Sequence, residues 1–412
     1  MVMGEAKTME GIEIIPDGTV TTPQGFTAGG IHVGVRSDWT KLDVGIVLSE
    51  APCATAAVYT QNRLKAAPLL VTMEHLKDGK SQAIVANSGC ANVATGQEGM
   101  DNAVKMAQVA GQKLGLDPHD VIVASTGVIG WQLPIDKILG GIEKLEVKAD
   151  GGQDFAVSIM TTDTVKKHMA VRYNGRTIGA ACKGVGMIHP NMATMLCFIT
   201  TDAAVEQKFL QKALKQAVDV SFNMVDIDSD TSTNDTATVM ANGVAGGDPI
   251  TEGHPDAEAF QGALTLLCTS MARMMVQDAE GGTKVIEANV QGAASPEDAR
   301  LAAREIVRSL GVKTAMYGMD PNWGRILAAI GNSGAAFDLN STTLTLVHPA
   351  GGEVALFADG APLPYGADKA KECLEPSEIT IHVNLGKGSG SATAWGSDLT
   401  EEFVKLNSLY TT

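Results

Sequence analysis

A chain of 412 residues with 44% apolar and 19% charged residues has the balance of a globular protein, and its length predicts more than one domain. A formal net charge of −16 repels phosphate backbones and anionic lipid, so neither nucleic acid nor a membrane surface is an expected partner. No apolar run of 18 residues occurs, and Met1–Gly11 carries Glu5, Lys7 and Glu10 instead of an apolar leader, which predicts neither a membrane span nor a secretory signal.

Taken in chain order, β-branched content between breakers predicts strands at Asp43–Glu50, Cys53–Tyr59 and Gln82–Asn87. Ala103, Met106, Ala107 and Ala110 form one apolar stripe and predict a helix over Asp101–Leu114. Val121–Ser125 reads as a short strand, and Pro134–Leu145 as a helix with proline near its start. Lys167–Arg172 and Thr177–Cys182 read as a hairpin turned at Asn174-Gly175, because both residue types tolerate the positive φ of a type I′ turn. A strand over Thr194–Thr200 and helices over Val205–Val220 and Asp256–Val276 follow. Ser295 precedes Pro296, with Glu297 and Asp298 in the first turn, which predicts a capped helix over Ser295–Leu310. Strands are expected at Thr342–Val347, Glu353–Phe357 and Glu378–Val383, with a domain boundary near Gly281–Thr283.

The six cysteines, Cys53, Cys90, Cys182, Cys197, Cys268 and Cys373, are scattered without a CxxC pair. Neither structural zinc nor a disulfide frame is expected, and a reducing cytoplasm fits. Asp226, Asp228 and Asp230 begin like a calcium loop, but Thr231 and Ala237 stand where that loop needs Gly and Glu. Lys387 lies between Gly386 and Gly388, which is not a P-loop, and Gly127 with Gly130 is an incomplete dinucleotide fingerprint.

The chemistry centres on the stretch from Lys183 to Leu196, which reads Lys-Gly-Val-Gly-Met-Ile-His-Pro-Asn-Met-Ala-Thr-Met-Leu. Gly184, Gly186 and Pro190 forbid a regular helix, and the chain then enters an apolar strand through Ala193-Thr194. By itself this is accounted for by a loop feeding a strand. The alternative is an N→O acyl shift, in which the Thr194 hydroxyl attacks the Ala193 carbonyl and hydrolysis frees Thr194 as a new N-terminus. Its α-amine, with an ordinary pKa of about 7.7–8.0, then serves as local base for its own hydroxyl.

This stretch resembles the processing site of the ornithine acetyltransferases, or glutamate N-acetyltransferases, of arginine biosynthesis. The resemblance continues through Gly25-Phe26, Ala28 to Gly30, Asn87 to Gly89, Ser125 to Gly130, Thr161 to Thr164, Asp228 to Asp235, Glu280-Gly281, Asp320 to Arg325 and Ala392 to Gly396. Cys90, where the family often has Asn, and Val185, where a smaller residue is common, depart from the pattern without removing a catalytic group.

The resemblance implies cleavage between Ala193 and Thr194, with Thr194 as the acetyl-carrying nucleophile and Thr126 with Gly127 as the oxyanion hole. It implies substrate contacts from Thr161, Lys183, Thr194, Glu280, Asn407 and Thr412, with Glu280 either a substrate contact or a proton relay. Lys183 and the Asn and Thr donors suit an α-carboxylate. The tail bearing Asn407 and Thr412 is expected to fold back over the site. His189 is assigned to turn geometry rather than to base catalysis.

The implied reaction is ping-pong: acetyl passes from N-acetyl-L-ornithine to Thr194 and then to L-glutamate, with acetyl-CoA as a further donor in bifunctional members. No metal or bound cofactor is implied. The implied fold is α/β, an αββα sandwich-type core of the ornithine acetyltransferase and β-aminopeptidase kind, plus a smaller C-terminal α/β domain. The expected division is residues 1–193, residues 194–284 completing the core, and residues 285–412. The implied assembly is a heterotetramer with two of each chain. Other readings are an N-terminal-nucleophile aminopeptidase or amidohydrolase, which uses water as acceptor, and an α/β binding module that is never cleaved.

Overall fold

The computed structural model describes residues 11–37, 40–189 and 195–409. In chain order the strands begin with β1 (Ile12–Ile15), β2 (Phe26–Ile31), β3 (Val44–Tyr59), β4 (Lys80–Cys90) and β5 (Val121–Val128). There follow β6 (Lys167–Tyr173), β7 (Arg176–Lys183), β8 (Leu196–Thr201), β9 (Val225–Asp226) and β10 (Thr236–Ala241). All of these except β9 form a nine-stranded sheet in the order β1-β6-β7-β8-β10-β3-β4-β5, with β2 paired to β3. The strand β9 instead joins β11 (Val285–Ala293), β12 (Thr343–Val347), β13 (Glu353–Ala358), β14 (Ala361–Pro362), β15 (Glu378–Asn384) and β16 (Gly390–Ser397). Their order is β14-β13-β12-β15-β11-β16-β9.

The helices are α1 (Ala67–His75), α2 (Gly96–Leu114), α3 (Ile135–Lys144), α4 (Gly152–Ser158), α5 (Gln207–Asp219) and α6 (Ala257–Gln277). They continue with α7 (Pro296–Arg308), α8 (Leu310–Tyr317), α9 (Trp323–Asn332), α10 (Ala367–Glu372) and α11 (Glu401–Leu409). The protein is therefore mixed α/β on two sheets, the class expected. The α6 helix packs on β6 and β7 of the first sheet and also meets β9 and β16 of the second. One apolar cluster consequently runs through both sheets, from Val171 and Ile199 through Leu264 and Met271 to Ile286 and Ile381. None of the helices among the described residues is long and apolar enough to cross a membrane.

Local chemistry explains where the elements start and turn. Asn174 and Gly175 have φ of +43° and +75°, as the predicted hairpin turn between β6 and β7 requires. The Ser295 hydroxyl accepts from the Asp298 backbone N–H at 3.1 Å and caps α7. That helix stops at Arg308, earlier than predicted, because Ser309 leaves helical geometry and caps α8 in turn. The two predicted strands at 43–50 and 53–59 are one strand, β3. Pro52, which looks like a breaker, falls where the pairing with β4 changes register between Leu48 and Cys53, so its missing N–H leaves the ladder intact on either side.

Candidate active site

A cavity of about 350 Å³ opens where the ends of several elements meet. Thr126 and Gly127 enter it from β5, Thr161 and Thr162 from the segment after α4, Lys183 from the end of β7, and Gly186 and Met187 from the loop beyond. Asp228, Asn234 and their neighbours line it from the β9–β10 connection, Glu280 from just past α6, and Phe403 and Asn407 from α11.

The Thr126-Gly127 corner is shaped by backbone contact. Gly127 has φ of +129°, and a Cβ there would stand 2.3 Å from the Gly89 carbonyl carbon on the neighbouring strand. Only glycine fits this close approach. Asn234 fixes the corner from the other side, donating through Nδ2 to the Ser125 carbonyl at 2.7 Å and to the Ala91 carbonyl at 2.8 Å. Thr126 is 8% exposed, and its hydroxyl lies 3.4 Å from the Lys183 ammonium.

Behind Thr161, Lys183 and Glu280 lies a buried ion triad. Lys167 donates to Asp163 Oδ1 at 2.7 Å and to Asp278 Oδ2 at 2.6 Å, and its side chain is wholly buried. Asp163 also accepts from the Thr161 N–H at 3.0 Å and from the Gly184 N–H at 2.9 Å. Burial pushes the Asp163 carboxyl upward, but the Lys167 and Lys183 cations and these hydrogen bonds outweigh it and hold the group well below the usual carboxylate range. Burial likewise pulls on the Lys167 ammonium, and its two carboxylates more than compensate, so its pKa is raised. Lys41 ties down the carbonyls of Met160 and Thr161, at 2.8 and 2.5 Å, and burial lowers its pKa to about 8.

Glu280 is held at both oxygens. The Thr162 hydroxyl donates to Oε1 at 2.5 Å, and the Asn407 amide donates to Oε2 at 3.1 Å. Asn407 thus brings α11 to the cavity. A Cβ on Gly186 would come within 2.6 Å of Glu280 Oε2, so the lack of a side chain at 186 makes room for that carboxylate.

The loop toward the predicted scission point is held by two aspartates. Asp228 accepts from the backbone N–H groups of Met187 and Ile188, the latter at 2.9 Å, and from Asp230 N–H at 3.1 Å. Met187 has φ of +54°, a conformation disfavoured for a side-chain-bearing residue, and the Asp228 bonds hold it there. Burial raises the Asp228 pKa to about 6, against the pull of the three backbone donors and with a further push from Asp226. His189 Nδ1 lies 2.8 Å from Asp226 Oδ2, and the wholly buried Lys313 meets Asp226 Oδ1 at 3.0 Å. His189 is thereby linked through Asp226 to Lys313.

Of the residues assigned from sequence, Thr126, Gly127, Thr161, Lys183, Glu280 and Asn407 all line this one cavity. Ala193, Thr194 and Thr412 lie outside the described residues. The nearest described neighbour of position 194 is Met195, buried, with its carbonyl accepting from the Thr236 N–H at 2.8 Å. The next residue, Leu196, pairs with Lys183 across β7 and β8. Sequence reasoning passed over Thr162, Asp163, Asp228, Asn234 and Phe403 as individuals. The first four fall within stretches that carried the resemblance, but their roles depend on contacts with distant segments.

The ArgJ family model matches residues 27–412. The chain is 46% identical over 406 residues to the arginine biosynthesis bifunctional protein ArgJ of Dehalococcoides mccartyi (strain CBDB1), covering 97% of this chain and 99% of that protein. It is 48% identical over 400 residues to the protein of the same name from Bacillus subtilis (strain 168), covering 96% and 97%. Among solved structures, it is similar to the ornithine acetyltransferase of Mycobacterium tuberculosis complexed with ornithine, at 36% identity and a TM-score of 0.42 over 44% of this chain and 100% of that one.

Proposed function

This chain belongs to the ArgJ family, and from that premise we propose that it moves an acetyl group from N2-acetyl-L-ornithine to L-glutamate through Thr194. The observation that carries the site assignment is the convergence of Thr126, Gly127, Thr161, Lys183, Glu280 and Asn407, drawn from five stretches of chain, on one cavity. Such convergence is what a single acyl-transfer centre demands and what scattered structural residues have no reason to produce.

In the proposed reaction, cleavage after Ala193 frees the Thr194 α-amine. That amine takes the hydroxyl proton as Thr194 Oγ1 attacks the acetyl carbonyl, and the Thr126 hydroxyl and Gly127 N–H receive the oxyanion. The C–N bond to ornithine breaks, ornithine leaves with a proton, and acetyl remains as an ester on Thr194. The α-amine of glutamate attacks this ester through the same oxyanion site, and the hydroxyl regains its proton. Lys183 pairs with the α-carboxylate that both amino acids carry. The chain supplies nucleophile and base itself, so the proposal includes no metal and no bound cofactor.

The proposal extends to acetyl-CoA as second donor, in keeping with the bifunctional name of the relatives. It also includes a cytoplasmic enzyme of two copies of each processed chain, with residues 1–193 and 194–284 building the core and residues 285–412 following. Light scattering of the purified protein tests the assembly.

Mass spectrometry and N-terminal sequencing test the centre of the proposal. The expected result is two chains, the second beginning Thr194-Met195-Leu196, with Thr194→Ala giving one uncut chain devoid of transferase activity. Normal acetylornithine turnover by that variant removes Thr194 as nucleophile. Ornithine release that depends on glutamate separates transfer from hydrolysis by an aminopeptidase-like enzyme, and a coupled assay with acetyl-CoA and glutamate tests the second donor.

A further inference from the structure

Burying three charges is costly, and replacing such a set by apolar residues of similar volume is often neutral or stabilising. Stability alone therefore gives weak reason for Asp163, Lys167 and Asp278 to be charged. Their remaining hydrogen bonds suggest another. The Asp163 oxygens take the backbone N–H groups of Thr161 and Gly184. Asp278 takes the Thr164 N–H at 3.0 Å, the Val165 N–H at 3.4 Å and the Thr164 hydroxyl. Lys167 joins the two acids, although 111 residues separate it from Asp278. Besides Lys167, both Asp163 oxygens and Asp278 Oδ2 thus accept from backbone near the cavity, and Asp278 Oδ1 accepts from the Thr164 hydroxyl.

We infer that the triad is a positioning device for the amino-acid substrates. Thr161 is two residues before Asp163 and bonded to it, Lys183 adjoins the bonded Gly184, and Glu280 is two residues after Asp278. Three substrate contacts from three elements are therefore referenced to one rigid point. Lys167 also sits on β6, whose partner β7 ends at Lys183, so the sheet and the α6 terminus are locked in register at the cavity wall. Asp163, Lys167 and Asp278 act only through other residues, and none lines the cavity. The inference rests on the reading of Thr161, Lys183 and Glu280 as substrate contacts.

The test is steady-state kinetics on the full, processed enzyme carrying Asp163→Asn, Lys167→Met and Asp278→Asn together, with folding checked by thermal melting. Removing all three charges leaves no member of the triad as an unpaired ion, so a merely structural triad predicts a folded enzyme with unaltered KM. A positioning triad predicts KM for acetylornithine and for glutamate rising together, by up to about 100-fold, with kcat per processed chain little changed. Should the triple variant not fold, Asp278→Asn alone, which keeps the Lys167–Asp163 pair, carries the test, with an expected rise of about tenfold in both KM values. Unchanged KM in either folded variant overturns the inference while leaving the functional reading intact. A wild-type protein that turns over neither substrate overturns the functional reading and the inference with it.

Discussion

Two aspartates support the same cavity, and they are held in opposite ways. Asp163 stands behind Thr161 and Lys183 with an ammonium in contact, and its carboxyl stays ionised far below the usual range. Asp228 holds Met187 and Ile188 with backbone N–H groups alone, and burial raises its pKa to about 6. Asp163 is the more buried of the two and both accept several hydrogen bonds, so neither burial nor bond number explains why its carboxyl lies lower. The difference is the cation. At Asp228 three backbone donors do not offset burial, whereas at Asp163 the added Lys167 and Lys183 cations do. Asp163 behind the substrate-binding wall is accordingly ionised across the range in which Asp228, near the scission point, titrates.

The most forceful way to break this contrast is to remove the cation. Lys167→Met leaves Asp163 and Asp278 buried without their shared partner, and a loss of about 3–5 kcal/mol in urea unfolding is expected. A loss under about 1 kcal/mol would show that the triad's charges are solvated in some other way.

Titration sharpens it next. The Asp163 value is depressed on folding, so its contribution to stability is complete above the ordinary carboxylate pKa of about 4 and is lost as pH falls toward the lower folded value. The Asp228 value is raised on folding, so its contribution runs the other way. Stability is greatest from this group while it is protonated and declines as pH rises from about 4 to 6, by on the order of 2–3 kcal/mol. Unfolding free energies measured from pH 3 to pH 7 should therefore show Asp228→Asn flattening the decline between pH 4 and 6. The same curve in Asp163→Asn should lose part of its fall below pH 4. Equal effects of the two substitutions in one pH window would erase the distinction.

The smallest effect separates shape from charge. In Gly186→Ala the new methyl group meets the end of the Glu280 side chain, which can turn aside. Unfolding should change by about 1 kcal/mol or less, while KM for acetylornithine rises roughly 3- to 10-fold through weakening of the Thr162 and Asn407 bonds to Glu280. A KM equal to that of the wild type would mean that Glu280 needs no fixed position.

Features written in local chemistry were legible from sequence: the Asn174-Gly175 turn, the Ser295 cap, and the long α6 helix, predicted to within a residue at each end. Strands β10, β11 and β16 went unread. The first follows an acidic run that looks like loop, while the others contain glycines that dilute the alternation. The two-residue β9 carries no periodicity and exists because β16 offers it an edge. For the site, resemblance supplied Thr126, Gly127, Thr161, Lys183, Glu280 and Asn407, which the cavity then gathers. Asp163 and Asp228 could be read only as acids in a matched stretch. What gives them meaning is Lys167, Asp278 and the path of the 187–188 backbone, none of which a linear pattern records.

The strand order has a final consequence for a polypeptide cut after position 193. In the nine-stranded sheet, β8 and β10 would belong to the downstream fragment and all the other strands to the upstream one. The downstream pair lies inside, bounded by β7 on one flank and β3 on the other, so the fragments are interleaved like fingers of two hands rather than laid side by side. Pulling them apart requires opening two backbone seams at once, which amounts to dismantling the domain. Severing the peptide would thus release a terminus without releasing a subunit, and the nicked protein should come apart only under conditions that also denature it.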